Sequence, residues 1–306
     1  MGLAANSNVM EIEAEKLLSK KIKRRVRLTP GRLIAIIFLC IVALIYVYPI
    51  FWMLDGSFRP MIEIFNLPPR FFQFGAGWPH LNTYSLNNYI KAFNDWSVGT
   101  SFFLSVLVTV TNVALTILVT SLCAYAFAFL RFPFKNILFY FILFSFMLPT
   151  ITQISPYYKL MSTLGLTNTL IGLIVPPAIS AMGVFLLRQF YIKLPYSLIE
   201  SALIDGASHF KIWWNIVLPL SKPALAALSI YQFRGIWNDF LYPMILLRDD
   251  KLFTIPVRIK LMDSVNFNKP YDAIMATGFL FSLIPIVIFL IFQRYFIEGL
   301  SGGVKG

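Results

Sequence analysis

The chain has 306 residues, of which 58% are apolar, 16% aromatic and 13% charged. A water-soluble domain sits nearer half apolar and a quarter charged, and here the apolar residues fall into separate long blocks, so a single soluble core is excluded in favour of membrane spans. The net charge of +12 raises nucleic-acid binding, but the positive residues gather at the ends of apolar blocks and do not interleave with aromatics on one face, which excludes that class.

Residues 1–32 open polar and end in a basic run, Lys20, Lys21, Lys23, Arg24, Arg25 and Arg27, which assigns this tail to the cytosol. The first apolar block, Leu33 to Leu54, is too long for a signal-peptide core and is followed by no small-residue cleavage site, so it is read as a retained span. Further spans are predicted at Phe102 to Phe129, Ile137 to Tyr158, Leu170 to Phe190, Pro223 to Leu247 and Ala273 to Phe292. Six spans place both termini on one side. The loops agree with that count: the cytosolic set carries 16 basic residues against six acids, the external set nine against seven.

The external loop from Asp55 to Thr100 is rich in Pro, Gly, Trp and Asn, and its Trp78 and Trp96 are of the type that settles at the headgroup level. The other external loops, Lys159 to Thr169 and Arg248 to Asp272, are too short for a separate domain. The fold expected is therefore an all-α polytopic membrane protein: a cytosolic tail 1–32, one membrane domain 33–296 with a cytosolic loop at 191–222, and a cytosolic tail 297–306. Cys40 and Cys123 lie inside apolar blocks with no metal-ligand spacing and read as small buried hydrophobes. The second span carries Ser105, Thr109, Ala114, Thr116, Thr120 and Ala124, small side chains that permit close helix packing. Pro149, Pro156, Pro176, Pro177, Pro243 and Pro285 interrupt the later spans and free backbone groups that neighbours or a wet cavity must satisfy.

The stretch between the fourth and fifth spans is the most informative. Pro195 bars continuation of the fourth helix, Ser197 and Glu200 have capping-box spacing, and Asp205-Gly206 supplies a turn. A second amphipathic segment with Phe210, Ile212, Trp213, Ile216 and Val217 leads to Pro219, and Pro223 opens the fifth span. A helix, turn and helix along the cytosolic surface suit either a docking element or an amphipathic connector on lipid headgroups.

Glu200-Ser201-Ala202, Asp205-Gly206-Ala207 and Ile216-Val217-Leu218-Pro219 resemble the "EAA" loop of binding-protein-dependent ABC importer permeases, with Ser201 in place of the usual alanine. Pro149 onward with Gly165 to Thr169, then Trp237-Asn238-Asp239-Phe240 with Pro243, and the terminal Gly299 to Gly306 extend the likeness, especially to the maltose-transporter type of carbohydrate permease. The terminal stretch is one residue shorter than the family's usual form.

The resemblance implies a type I importer fold and a translocation path shared with a second permease subunit in a heterodimer. It also implies two ATPase subunits that hold ATP and magnesium, an extracytoplasmic solute-binding protein, and a cytoplasmic membrane location. No cofactor or metal is expected on this chain, no nucleic-acid partner, and no catalysis by it. The resemblance makes Glu200, Ser201, Ala202, Asp205, Gly206, Ala207, Ile216 and Pro219 the ATPase-coupling residues and gives Gly302, Gly303 and Lys305 a second ATPase contact. Glu200 keeps two readings, a local helix cap or the partner of an ATPase arginine.

In the fifth span Gln232, Arg234, Trp237, Asn238 and Asp239 stand out, because a charge at mid-bilayer costs about 2.5 to 3.5 kcal/mol on insertion scales. They line a pathway and meet sugar hydroxyls, or they form a structural polar group near the outer end of the helix. His80 and His209 read as surface or packing residues. The competing class is a secondary transporter or channel working without an ATPase, which calls for repeated halves that the sequence does not display. An intramembrane enzyme lacks support, since H-E-x-x-H, G-x-S-x-G and a P-loop are all missing from the sequence.

Overall fold

The computed structural model describes residues 30–65, 84–265, 267 and 269–302, the segment 294–302 as backbone alone. The described residues up to Phe51 form one unit and those from Trp52 onward another. Among the described residues the regular elements are all helical: α1 (Pro30–Phe58), α2 (Met61–Ile64), α3 (Asn87–Asp95), α4 (Val98–Phe129), α5 (Lys135–Met147), α6 (Thr150–Thr163) and α7 (Leu170–Ile174). They continue as α8 (Ala181–Tyr191), α9 (Tyr196–Ile204), α10 (His209–Leu220), α11 (Lys222–Trp237), α12 (Leu241–Leu246), α13 (Ile255–Asp263) and α14 (Tyr271–Gly302).

Four segments, Pro30–Phe58, Val98–Phe129, Leu170–Tyr191 and Tyr271–Gln293, are long and apolar enough to cross a membrane. Two bent pairs raise the number to six, the number expected, if each pair is one span. The third expected span is not straight: α5 and α6 meet at 108°. Leu148 is extended ahead of Pro149, as the residue before a proline prefers, and α6 restarts from there. The fifth is also shorter than expected. α11 ends at Trp237, and α12 begins only at Leu241, so Pro243 belongs to a separate helix. Pro285, by contrast, leaves α14 continuous. Cys40 is exposed and Cys123 half-buried. The buried reading of Cys40 fails because α1 is apolar on all sides and presents Leu33, Phe38 and Leu44 outward as well.

α4 is the hub of the second unit. Ser101, Ser105, Thr109, Asn112, Thr116 and Thr120 recur at three- and four-residue steps, so they share one face, and all are buried. That stripe meets the carbonyls freed by Pro176 and Pro177. Asn112 Nδ2 donates to Ile174 O at 2.6 Å, Gln232 Nε2 to Pro177 O at 3.0 Å, Thr120 Oγ1 to Ala178 O at 3.4 Å, and the Tyr157 hydroxyl to Gly172 O at 2.8 Å. The fourth span is thus broken without leaving these carbonyls unpaired in an apolar medium. Gly183 permits the close approach of α8 to its neighbours, since a Cβ there would stand 2.7 Å from Leu228 Cδ1 and 2.9 Å from Thr120 Cγ2.

At the other end of α4, Arg258 Nε donates to Ser101 Oγ at 2.9 Å, and Lys91 pairs with the buried Asp272 at 3.0 Å. Trp96 packs beside Ala92, Val98, Ile255 and Met262. Trp78, His80 and the basic run of the tail lie outside the described residues.

Candidate functional site

The loop between α8 and α11 is built from local signals. Pro195 occupies the N-cap position of α9 and no side chain caps the helix, so the capping box expected of Ser197 and Glu200 does not form; both lie inside the helix. Its far end matches expectation. Gly206 takes φ +78°, its N–H reaches Leu203 O at 3.0 Å, and the Ala207 N–H reaches Ala202 O at 2.9 Å, a Schellman closure that needs a residue at positive φ. Asp205 is the C-cap of α9, and Ser208 then caps α10 by accepting from the Lys211 N–H at 3.4 Å. Within α10 the segment Trp213–Val217 widens to a π-turn just ahead of Pro219, which has no N–H to give and crowds the preceding turn. The chain then bends by 82° into α11.

One face of this loop is keyed into the bundle. Ile199, Ala202, Ile212, Trp213 and Val217 are buried in one cluster with Ala124, Tyr125, Leu187, Tyr191, Ala224 and Leu228, and Ala207 and Ile216 pack against it. Trp213 is 1% exposed. His209 is exposed, and its Nδ1 lies 3.1 Å from the Tyr125 hydroxyl, so it is a surface residue with a hydrogen-bond partner. The opposite face is free: Glu200, Ser201, Asp205 and Pro219 are exposed, together with Leu198, Ile204, Phe210 and Trp214. Among the described residues the Glu200 carboxylate has no hydrogen bond or ion pair.

A second candidate lies in the membrane portion. Tyr231, Arg234, Gly235 and Asn238, one face of α11, line a groove of about 610 Å³ with Gln232, Ser180, Ala181, Met182 and Phe146. Asn238 Nδ2 donates to Arg234 O at 2.9 Å. The structure separates the fifth-span residues that the sequence groups. Gln232 is buried, bridging Asn112 Oδ1 at 2.8 Å and Pro177 O, so its amide is engaged in holding the break in the fourth span.

Trp237 does not line the groove. Its ring is stacked between Phe233 at 5.7 Å and Phe281 at 5.2 Å, with Nε1 donating to Phe281 O. Asp239 is withdrawn too, its carboxylate accepting from the N–H groups of Leu241 and Tyr242 at 3.1 and 3.3 Å, where it starts α12. Gly302 ends α14, and Gly303 and Lys305 lie outside the described residues.

Sequence reasoning missed the receiving side of the loop, Tyr125, Leu187 and Tyr191, and the groove wall supplied by Phe146, Ser180 and Met182. Gly165 to Thr169 forms a tight connection in which Asn168 takes φ +57° and accepts from the backbone of Arg248 and Asp249.

Residues 116–302 match the family described as binding-protein-dependent transport system inner membrane component. The chain is 35% identical over 284 residues to the arabinooligosaccharides transport system permease protein AraQ of Bacillus subtilis (strain 168), covering 90% of this chain and 96% of that protein. It is 32% identical over 271 residues to the sn-glycerol-3-phosphate transport system permease protein UgpE of Rhizobium meliloti (strain 1021), covering 88% and 96%. A crystal structure of a bacterial ABC transporter involved in the import of the acidic polysaccharide alginate superposes with a TM-score of 0.75 at 23% identity, over 86% of this chain and 95% of that one, and so shares the fold. With the family match spanning more than half the chain and full-length relatives at this identity, the protein belongs to the inner membrane components of binding-protein-dependent transport systems, the permease subunits of ABC importers.

Proposed function

We propose that this permease carries a carbohydrate, delivered by a solute-binding protein, through the groove beside α11, and that residues 191–222 couple the movement to a partner ATPase. The names of the relatives support a carbohydrate or a related polyol phosphate as cargo. The observation that carries the reading is the division of the loop into a face locked into the spans and a face left exposed by the described residues. A lever has that form: exposed Glu200, Ile204 and Phe210 meet the motor, and buried Trp213 and Val217 pass its displacement to α4, α8 and α11.

In this reading a second, different permease subunit completes the path, two ATPase subunits bind ATP and magnesium, and the whole sits in the cytoplasmic membrane with both termini of this chain in the cytosol. The tails are 1–32 and 297–306, and Gly302, Gly303 and Lys305 make a further ATPase contact. Hydrolysis belongs to the partner. Closure of the ATPase pair then rocks the spans as rigid bodies about the solute site.

Reconstitution tests this reading. Vesicles with the complete transporter are expected to take up solute only with ATP and loaded binding protein, and the permease subunits alone are expected to take up none. Uptake by the permeases alone along a gradient favours the channel or secondary-transporter reading. In the same assay Asn238→Leu is expected to leave assembly at the wild-type level, because Asn238 is exposed, and to lower uptake about tenfold, the loss of a hydrogen bond worth ~1.4 kcal/mol. Unaltered uptake removes Asn238 from the pathway.

A further inference from the structure

The geometry points to a solute that bears an anionic group, a carboxylate or phosphate on a saccharide, received by Arg234; the inference rests on the reading of the α11 groove as the pathway. Arg234 is the only charged residue along α11 after the opening Lys222, and it stands in the exposed stripe Tyr231, Arg234, Gly235 and Asn238. Among the described residues its guanidinium has no ion pair or hydrogen bond. The acid closest to it in sequence, Asp239, is held by the Leu241 and Tyr242 amides and does not line the groove. Among the described residues no other acid lines it, so the lining carries an uncompensated positive charge.

Neutral sugar hydroxyls need only the hydrogen bonds that Asn238, Ser180 and Tyr231 offer. An arginine in a span disfavours insertion, and its charge is permanent. What it adds is a planar fork of donors that matches a carboxylate or a phosphate in a bidentate fashion.

Gly235 supplies an independent observation. It lies in the last turn of α11, two residues before the helix ends at Trp237, its φ is not positive, and nothing stands within 4 Å of where a Cβ would be. Neither backbone geometry nor packing accounts for it. Its effect is clearance directly beside the Arg234 side chain, in a groove whose volume of about 610 Å³ suits a small molecule.

The test uses the complete transporter in nanodiscs, with Asn238→Cys as a reporter and labelling read at that position by peptide mass spectrometry. The probes are a thiosulfonate reagent bearing a sulfonate and a matched one bearing a trimethylammonium group. The anionic reagent is expected to react about tenfold faster relative to the cationic one when Arg234 is present, as a focused local charge gives, and Arg234→Gln is expected to abolish the preference. Glucuronate should protect the introduced thiol where glucose at equal concentration does not. Arg234→Gln should remove that protection, and Arg234→Lys should keep part of it.

Equal rates for the two reagents, equal protection by glucose, or glucuronate protection that survives Arg234→Gln would each overturn the proposal. Absence of labelling in every nucleotide state would overturn it through the pathway reading, since the groove would then be closed to solute. Failure of the coupling reading shows separately, as unchanged ATPase activity in Glu200→Lys.

Discussion

The Glu200→Lys transporter is expected to fold, insert and bind solute normally while its ATPase loses stimulation by loaded binding protein. Glu200 is exposed and has no internal bond among the described residues, so its replacement costs the permease itself no more than about 0.5 kcal/mol. The capping box that would have given the carboxylate a local task is absent, and Pro195 starts the helix alone. On the coupling proposal Glu200 pairs with a cation of the ATPase. Breaking a close charge pair at an interface costs about 2–5 kcal/mol, and reversal adds repulsion, so stimulated hydrolysis and co-purification with the ATPase are expected to fall by roughly thirtyfold or more. Wild-type values for both would mean that the exposed face of α9 rests on lipid headgroups and engages no motor.

Trp213→Ala is expected to act from the opposite side of the same loop. The indole is 1% exposed, lies 5.3 Å from the Phe210 ring and 5.5 Å from Trp214, and fills the seat made by α4, α8 and α11. Truncating a buried tryptophan costs about 3–5 kcal/mol, here charged to the attachment of the loop more than to the spans, which keep their own contacts. The expected product is an assembled but loosely geared transporter: protease cuts residues 205–212 faster, ATP is still hydrolysed, and solute moved per ATP drops several-fold. Trp213→Phe, which refills most of the space, should recover most of the ratio. A normal ratio in Trp213→Ala would show that force does not pass through this cluster.

The parts of the molecule legible in the sequence are those fixed by short-range chemistry. Block length gave the four segments that are long and apolar enough by themselves, because a helix needs about twenty apolar residues to cross hydrocarbon. Gly206 announced its turn because glycine takes a positive φ without strain, whereas the π-turn ahead of Pro219 was not anticipated. Residue type also flagged Gln232, Arg234, Trp237, Asn238 and Asp239 as unusual for a span, but it did not sort them.

That sorting depends on which helix stands opposite. Gln232 turns to the Pro177 carbonyl, Trp237 to Phe281, and Asp239 to the amides two and three residues on, which leaves Arg234 and Asn238 for the groove. The seat for Trp213 was hidden for the same reason, since Tyr125 and Tyr191 are far from it in sequence. The 108° bend at Pro149 was anticipated only as a breaker, because a proline states where a helix stops and not the direction of the next one.

The most direct test of the lever is a pair of spin-label distances in the complete transporter, measured without nucleotide and with ATP trapped. Labels at Ser201 and Arg131 span the loop and the Phe129 end of α4, both at exposed positions; labels at Phe146 and Asn238 span the groove. The first distance should stay fixed, since the loop moves as one body with the spans, and the second should change by roughly 5 Å, the scale of one helical turn. A first distance that shifts while the groove keeps its width would contradict the account.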